Sequence, residues 1–202
     1  MSFVEACEYL KLDLPKQKSN APQRKVDLRI APDIKSNINY DQWQARAGAF
    51  TEYANIQLHK YQHANVLDYL RKQRKLSDEV LNVFDIGYNP THVNDTWGGI
   101  DVFLPAGIVI PVYDKQQRIH RIKIRTDSGK PKYAQPAGSV PFMFGDTRIR
   151  LGDYIILTES EIDAMSIYSY FRFAKGVSAV ATGSSTHCRY GRWVGRLALG
   201  KK

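Results

Sequence analysis

Cysteine is scarce in this chain of 202 residues, which has only Cys7 and Cys188. So distant a pair cannot form a disulfide framework or a four-cysteine zinc site, and free thiols fit a reducing compartment. Long apolar runs are also missing, since no stretch approaches the roughly 18 residues of a transmembrane helix. The start of the chain is acidic where a secretion signal needs a basic region and then an apolar one. We therefore expect a cytoplasmic protein with no membrane partner.

Acidic residues are sparse in two segments of the chain. The whole sequence has 29 Lys and Arg against 20 Asp and Glu, a net charge of +9. Residues 115–150 contain nine basic and two acidic side chains, and residues 171–202 contain seven basic side chains and no acidic one. Two basic blocks favour a polyanion such as nucleic acid as partner, with a generally basic surface as the alternative. Between the blocks, residues 151–163 have four acids and no base.

Helical patterns dominate the first half of the chain. Residues 1–34 combine a short helical pattern with a Lys-, Gln-, Ser- and Pro-rich stretch that predicts a linker. Helices are predicted over 41–63 and 64–75, and a further short helix is capped by the Ser77 hydroxyl. The residue preceding Pro90 ends this helical region.

Strand patterns follow Gly98 and Gly99. Short segments that are rich in β-branched residues predict three strands, over 102–104, 108–112 and 119–125. A hairpin connection is expected at 114–118. In the third strand, alternation places Ile122 and Ile124 on a core face and the basic residues Arg121, Lys123 and Arg125 on a cationic face.

The last part of the sequence predicts a βαβ unit. Residues 154–158 form a continuous apolar run that suits a strand buried on both faces, followed by a helix over 161–173 and a strand over 177–181. The expected fold class is therefore α+β with an α/β carboxy-terminal part, in which a mixed sheet packs with helices. In such units the loops that carry function lie at the carboxyl ends of the strands.

Three acids, Glu159, Glu161 and Asp163, stand where the first strand of this unit passes into the helix. Carboxylates are hard oxygen ligands, and a divalent cation held by them can neutralise charge that develops on a phosphoryl group. An acidic helix start that stabilises the helix dipole is the alternative. Position favours the metal interpretation, because Glu159 follows the carboxyl end of the strand.

These residues also carry a family resemblance. Residues 157–164, Leu-Thr-Glu-Ser-Glu-Ile-Asp-Ala, resemble the first signature of the Toprim domain, which DnaG-type primases, phage primase-helicases and topoisomerases share. Residues 180–186 are similar to the strand and turn that follow it. Upstream, four segments resemble in the same order the amino-terminal part of a DnaG-type polymerase core: 69–77, 84–90, 110–114 and 130–133. Collinear matches are more specific than any one motif.

The resemblance implies roles for individual residues. Glu159 matches the Toprim glutamate, implying metal binding or acid–base assistance at a 3′-hydroxyl, and Asp163 matches the aspartate that supports it. Lys132 and Tyr133 match a Pro-Lys-Tyr motif and Arg125 the arginine before it, which line the nucleic-acid groove in primases. Basic side chains bind phosphate and a tyrosine can stack on a base. The predicted nucleic-acid and nucleotide contacts are therefore Arg121, Lys123, Arg125, Lys130, Lys132 and Tyr133. The alternative is a solvated hairpin face.

The implied activity is that of a DNA primase, which joins ribonucleoside triphosphates on single-stranded DNA with Mg²⁺ or Mn²⁺. The Glu-x-Glu-x-Asp-Ala form favours the phage or mobile-element kind, in a bacterial cell or infected host beside a fused or separate replicative helicase. The implied domains are a zinc-ribbon tail and linker (1–34), the amino-terminal subdomain of the core (35–150) and a partial Toprim domain (151–202). Zinc would be confined to a ribbon preceding the chain.

Two departures from the family pattern keep a second interpretation open. Ser160 stands where glycine normally follows the Toprim glutamate, and the Asp-x-Asp motif of the next strand is absent. We therefore expect a fragment of a longer protein that is inactive alone, with a naturally shortened protein as the other possibility. The alternative is a non-catalytic module of a primase-helicase that binds single-stranded DNA. A Toprim nuclease or topoisomerase would have no need of the stretch from 64 to 133.

Overall fold

The structure is a computed structural model that describes residues 37–150, 153–171, 176–184 and 197. Its first part is helical: α1 (Tyr40–Leu58), a 3₁₀ turn (Tyr61–His63), α2 (Ala64–Asp68), a π-helical turn (Tyr69–Gln73) and α3 (Asp78–Val83). Six strands follow: β1 (Gly87–Asn89), β2 (Val93–Trp97), β3 (Ile100–Leu104), β4 (Gly107–Tyr113), β5 (Ile119–Thr126) and β6 (Tyr133–Ala134). After a 3₁₀ turn (Asp146–Arg148) come β7 (Tyr154–Thr158), α4 (Glu161–Phe171) and β8 (Val177–Ala181).

Three sheets are formed by these strands. An antiparallel sheet has the order β1-β4-β5-β6, β2 pairs with β3 as a separate hairpin, and β7 pairs in parallel with β8. The parallel pair with α4 between its strands is the predicted βαβ unit. The mixed α+β architecture confirms the expected fold class. Within the described ranges, no helix has both the length and the apolar character that crossing a membrane requires.

Helix α1 covers one face of the antiparallel sheet. Its Trp43 packs with Trp97 of the separate hairpin and with Val109, Ile122 and Ile124 of β4 and β5. The helix lies so close to β1 that a Cβ at Gly87 would meet Ala54 at 2.6 Å. Glycine is therefore required there by close approach.

The opposite face of the sheet is covered as well. A second apolar cluster joins α3 and the π turn to β4 and α4, with Leu70, Val80, Ile110, Ile162 and Met165 among its buried members. The central strand β5 is buried on both sides, since Arg121 and Lys123 on this face are 0% and 5% exposed, and both side chains pair with Glu161 of the βαβ unit. Of the three basic residues predicted on a cationic face, Arg121 and Lys123 are therefore buried and Arg125 is partly exposed.

The hairpin between β4 and β5 is held by one carboxylate. Asp114 Oδ1 accepts hydrogen bonds from the backbone N–H groups of Gln116 and Arg118. Its Oδ2 accepts hydrogen bonds from the side chains of Arg118 and His120. Burial alone would raise the pKa of Asp114, but the hydrogen bonds, led by that from the Arg118 backbone, lower it to about 2. The predicted connection at 114–118 is confirmed.

A cationic side chain ties the βαβ unit to α3. The Arg148 guanidinium carbon lies 4.8 Å from the Phe84 ring centroid and 5.4 Å from that of Tyr168 in α4. The same group donates a hydrogen bond of 2.8 Å to the carbonyl oxygen of Val83. Farther along, Phe144 and Ala181 exchange two backbone hydrogen bonds at the edge of β8.

Several helical and strand boundaries differ from the predictions. The helix predicted over 41–63 ends at Leu58, and that predicted over 64–75 changes to a π turn at Tyr69, while the Ser77 cap is confirmed by the Val80 N–H. The first strand begins at Gly87, although strands were expected only after Gly98 and Gly99. The two additional strands, β1 and β2, are short and are separated by turn-forming residues, so their sequence pattern is weak. Residues 1–34 and 185–196 fall outside the described residues.

The expectation that both faces of β7 are buried is wrong. Tyr154 is 38% exposed and Leu157 44% exposed. Among the described residues β7 pairs with β8 alone, so it is the outer strand of that pair. An apolar run indicates a strand but does not report how many neighbours the strand has.

Candidate active site

A cleft of about 490 Å³ separates the antiparallel sheet from the carboxyl ends of β7 and β8. Its cationic side chains are Arg74, Lys123, Arg125 and Lys132. Glu159 and Asp163 supply its carboxylates, and Tyr133, Gln135, Ser160, Ile162, Gly183 and Ser184 complete the lining. The structure thus brings six of the eight residues predicted as the site to one cleft.

The two acids of the cleft are set by the start of α4. Glu159 follows β7 directly, and both Glu159 and Asp163 are exposed. Ser160 accepts a hydrogen bond on Oγ from the Asp163 N–H at 3.3 Å, as a helix N-cap does. Ser160 is not among the residues with positive φ. Serine therefore fits the turn where the family pattern has glycine, and it fixes the helix start.

Cations surround the Tyr133 ring on the sheet side of the cleft. The ammonium nitrogens of Lys123 and Lys132 lie 4.3 and 5.7 Å from its centroid, and the Arg125 guanidinium lies at 5.9 Å. Arg125 also donates a hydrogen bond of 3.4 Å to the Tyr133 hydroxyl. Such contacts hold the half-buried ring beside the positive charges, where it can stack on a base.

Arg74 and Tyr69 are cleft-side residues that the sequence did not reveal as site residues. The Arg74 N–H bonds the Tyr69 carbonyl five residues back, which closes the π turn. The Arg74 Nε donates to the Tyr69 hydroxyl at 2.7 Å, and the Arg125 guanidinium lies 5.7 Å from the Tyr69 centroid. The π turn therefore positions Arg74 at the cleft, and such turns are frequent at functional sites.

A buried carboxylate lies behind the cleft. Glu161 has no exposed surface, and its two oxygens accept hydrogen bonds of 2.8 Å from Arg121 and Lys123 of β5. These three residues, here called the Glu161 triad, join the βαβ unit to the sheet. Burial lowers the pKa of Arg121, although the Glu161 charge opposes that effect. Removing one partner of a buried ion pair typically destabilises a protein by about 3–5 kcal/mol.

Gly183 is the close neighbour of this triad. Its φ is +75°, and a Cβ there would lie 2.5 Å from both the Arg121 Nη1 and the Glu161 Oε1 atoms. The Lys123 ammonium donates to the Gly183 carbonyl oxygen at 2.7 Å. Both the backbone conformation and the ion pair therefore require glycine after β8.

Two predicted contact residues do not line the cleft. Arg121 is 0% exposed with its guanidinium committed to Glu161, so the expectation that it binds nucleic acid directly is wrong. Alternation placed it on the correct face of β5, but that face is covered by α4. Lys130 is exposed and lies in the loop before β6, outside the cleft lining.

The carboxylates suit a hard divalent cation shared with a ligand. In the part of the chain that the structure describes, no three His, Cys, Asp or Glu side chains form a cluster that could hold a metal alone. Mg²⁺ is commonly held by one or two carboxylates, with water and substrate phosphates completing its shell. Glu159 and Asp163, which border one cleft with four cations, fit this arrangement.

Comparisons with known proteins identify the fold. No protein-family model and no curated protein matches the chain. The RNA polymerase domain of Mycobacterium tuberculosis primase DnaG is similar over 79% of this chain and 61% of its own, with a TM-score of 0.57 and 16% identity. The fold resembles that of a DnaG catalytic core. A DnaG primase catalytic domain bound to single-stranded DNA matches 70% of this chain and 55% of its own (TM-score 0.55, 17% identity).

A third solved structure, a DNA primase domain from Pseudomonas aeruginosa, covers 69% of the chain and 53% of its own (TM-score 0.54, 18% identity). The chain thus spans little more than half the length of these DnaG-like structures. At such identities the similarity is one of fold, and the function is inferred from the residues of the cleft.

Proposed function

We propose that the protein is a DNA primase whose active site includes this cleft. The observation that carries the proposal is the placement of Glu159 and Asp163 opposite Arg74, Arg125 and Lys132 in one DnaG-like fold. Phosphoryl transfer requires charge neutralisation and positioning more than covalent help from the protein, and this cleft offers both. The βαβ unit would serve as the first part of a Toprim-type site.

The carboxylates and the cations have different tasks in this proposal. Glu159, supported by Asp163, would hold Mg²⁺ or Mn²⁺, which when bound neutralises triphosphate charge and orients the primer 3′-hydroxyl. Arg125 and Lys132 would bind template or nucleotide phosphates, and Tyr133 would stack on a base. The ligands would be single-stranded DNA and ribonucleoside triphosphates. A replicative helicase partner stays a prediction.

A non-catalytic binder of single-stranded DNA is the second candidate. It is favoured by the small number of acids in the cleft, because within the described ranges only Glu159 and Asp163 supply carboxylates to it. The presence of serine at position 160 does not favour the non-catalytic binder, because Ser160 caps α4 without a left-handed backbone.

Primer synthesis on single-stranded DNA separates the two candidates. The full-length protein is incubated with template, the four ribonucleoside triphosphates and Mg²⁺ or Mn²⁺, and labelled products are resolved by length. We expect oligoribonucleotides from the wild type and from Glu52→Gln, an exposed carboxylate of α1, and none from Glu159→Gln. Glu159→Gln should still bind DNA. Absence of wild-type product with retained, salt-sensitive DNA binding would reject the primase in favour of the binder.

A further inference from the structure

The Glu161 triad divides the lysines beside Tyr133 into two kinds. Lys123 and Lys132 both place an ammonium group near the same ring, at 4.3 and 5.7 Å. Lys123, however, is only 5% exposed, whereas Lys132 is exposed. Two lysines that sequence analysis cannot distinguish therefore occupy different environments.

The Lys123 ammonium is in contact with three protein groups. Glu161 accepts at 2.8 Å, the Gly183 carbonyl accepts at 2.7 Å, and the Tyr133 ring presents its face. A lysine ammonium has three N–H donors and can serve no more partners without releasing one. Binding a DNA phosphate through Lys123 would thus separate it from a buried carboxylate, which is unfavourable.

We propose that Lys123 is a positioning residue: held by Glu161, it fixes the Tyr133 ring and the turn at Gly183, and it does not bind nucleic-acid phosphate. The phosphate contacts of this wall are then made by the exposed Lys132 and its neighbours. Glu161 lies between the cleft acids Glu159 and Asp163 in the sequence, but in the structure it pairs with basic residues of β5. The part of the inference that concerns phosphate rests on the proposed function.

The experiment compares Lys123→Met with Lys132→Met in binding of an oligothymidylate at several salt concentrations. Each phosphate contact contributes about 0.7 to the slope of log affinity against log salt for single strands. We expect Lys132→Met to lower the slope by about 0.7. We expect Lys123→Met to weaken binding at an unchanged slope, because the stacking ring is displaced while no phosphate contact is lost. An equal fall of the slope in Lys123→Met would overturn the proposal.

A spectroscopic measurement that is independent of DNA accompanies the slopes. The protein is labelled with 3-fluorotyrosine, and the ¹⁹F resonance of Tyr133 is assigned from Tyr133→Phe. Lys123→Met and Glu161→Gln should both shift this resonance, whereas Lys130→Met, a change outside the cleft, should leave it in place. Lys123→Met keeps Glu161 paired with Arg121, so this variant carries the test even if Glu161→Gln does not fold.

The two measurements distinguish failure of the proposal from failure of the proposed function. If the wild type binds no single-stranded DNA, the template cleft is refuted and the ¹⁹F shift alone decides the role of Lys123. An unmoved Tyr133 resonance in folded Lys123→Met refutes the positioning role whatever the DNA result. In folded Glu161→Gln, Lys123 loses its carboxylate partner and becomes able to bind a DNA phosphate, so the salt slope should steepen by about 0.7. The double variant Glu161→Gln/Lys123→Met should return to the wild-type slope.

Discussion

Replacing Gly183 by alanine tests the packing behind the cleft. The added methyl group would lie 2.5 Å from the Arg121 Nη1 and Glu161 Oε1 atoms, far inside van der Waals contact. Neither atom can move away easily, because both residues have no exposed surface and are paired with each other. The substitution must therefore distort a buried ion pair as well as strain the backbone.

Two contributions set the size of the effect. A left-handed backbone costs an ordinary L-residue about 1–2 kcal/mol, and φ at this position is +75°. Overpacking of a buried site adds about 1–3 kcal/mol. Gly183→Ala should thus lower the free energy of unfolding by about 2–5 kcal/mol.

Gly99 provides the matched control. It also has a positive φ, +87°, but nothing lies within 4 Å of a Cβ built there. Gly99→Ala should therefore show the backbone contribution alone, about 1–2 kcal/mol. Urea unfolding followed by circular dichroism measures both variants. If Gly183→Ala destabilises the protein no more than Gly99→Ala does, the Glu161 triad does not constrain the turn at Gly183.

Three further predictions concern other contacts. Arg148→Leu should lower the free energy of unfolding by about 1–2 kcal/mol, because it removes a guanidinium that contacts two aromatic rings and a backbone carbonyl; an unchanged urea midpoint would contradict this. The carboxyl of Asp114 has a folded pKa of about 2, below its ordinary value of 3.8. The contribution of the ionised carboxylate to the free energy of unfolding is therefore complete above about pH 4 and is lost as the pH falls towards 2. Asp114→Asn should flatten the pH dependence of the urea midpoint in that window, and equal slopes would refute the assignment. Arg74→Met should lower the salt slope of single-stranded DNA binding by about 0.7, whereas Arg46→Met, a change to an exposed arginine of α1 that pairs with Asp95 and does not line the cleft, should not; equal slopes for both would remove Arg74 from the cleft contacts.

Local signals in the sequence predicted the elements that depend on local chemistry. The Ser77 cap, the hairpin at 114–118 and the βαβ order each follow from side chains that act within a few residues of their own position. The position of Glu159 at the carboxyl end of β7 was predictable for the same reason, since strand, turn and helix are contiguous in the sequence.

The partners of β5 could not be predicted from its own pattern. Alternation correctly separated Ile122 and Ile124 from Arg121 and Lys123, but a period of two does not report what covers each face. The covering residue, Glu161, lies 38 to 40 positions farther along the chain.

One available signal for Glu161 was its place on the helix. Glu161 precedes Met165 by four residues, so both share the buried face of α4, whereas Asp163 points to the other side and stays exposed. The π turn offers no comparable signal, because ordinary helical spacing does not predict a turn closed five residues back. Arg74 was therefore not recognised as a site residue.

The sharing of one carboxylate by two strand cations limits how freely the two halves of the fold can be exchanged during evolution. A βαβ unit transferred to another scaffold would take Glu161 with it and leave Arg121 and Lys123 behind in the sheet. Both the unit and the sheet would then have an unpaired charge at an interface that is buried in this protein. Recombination at the junction near residue 150 would succeed only where donor and recipient both supply this charge pattern.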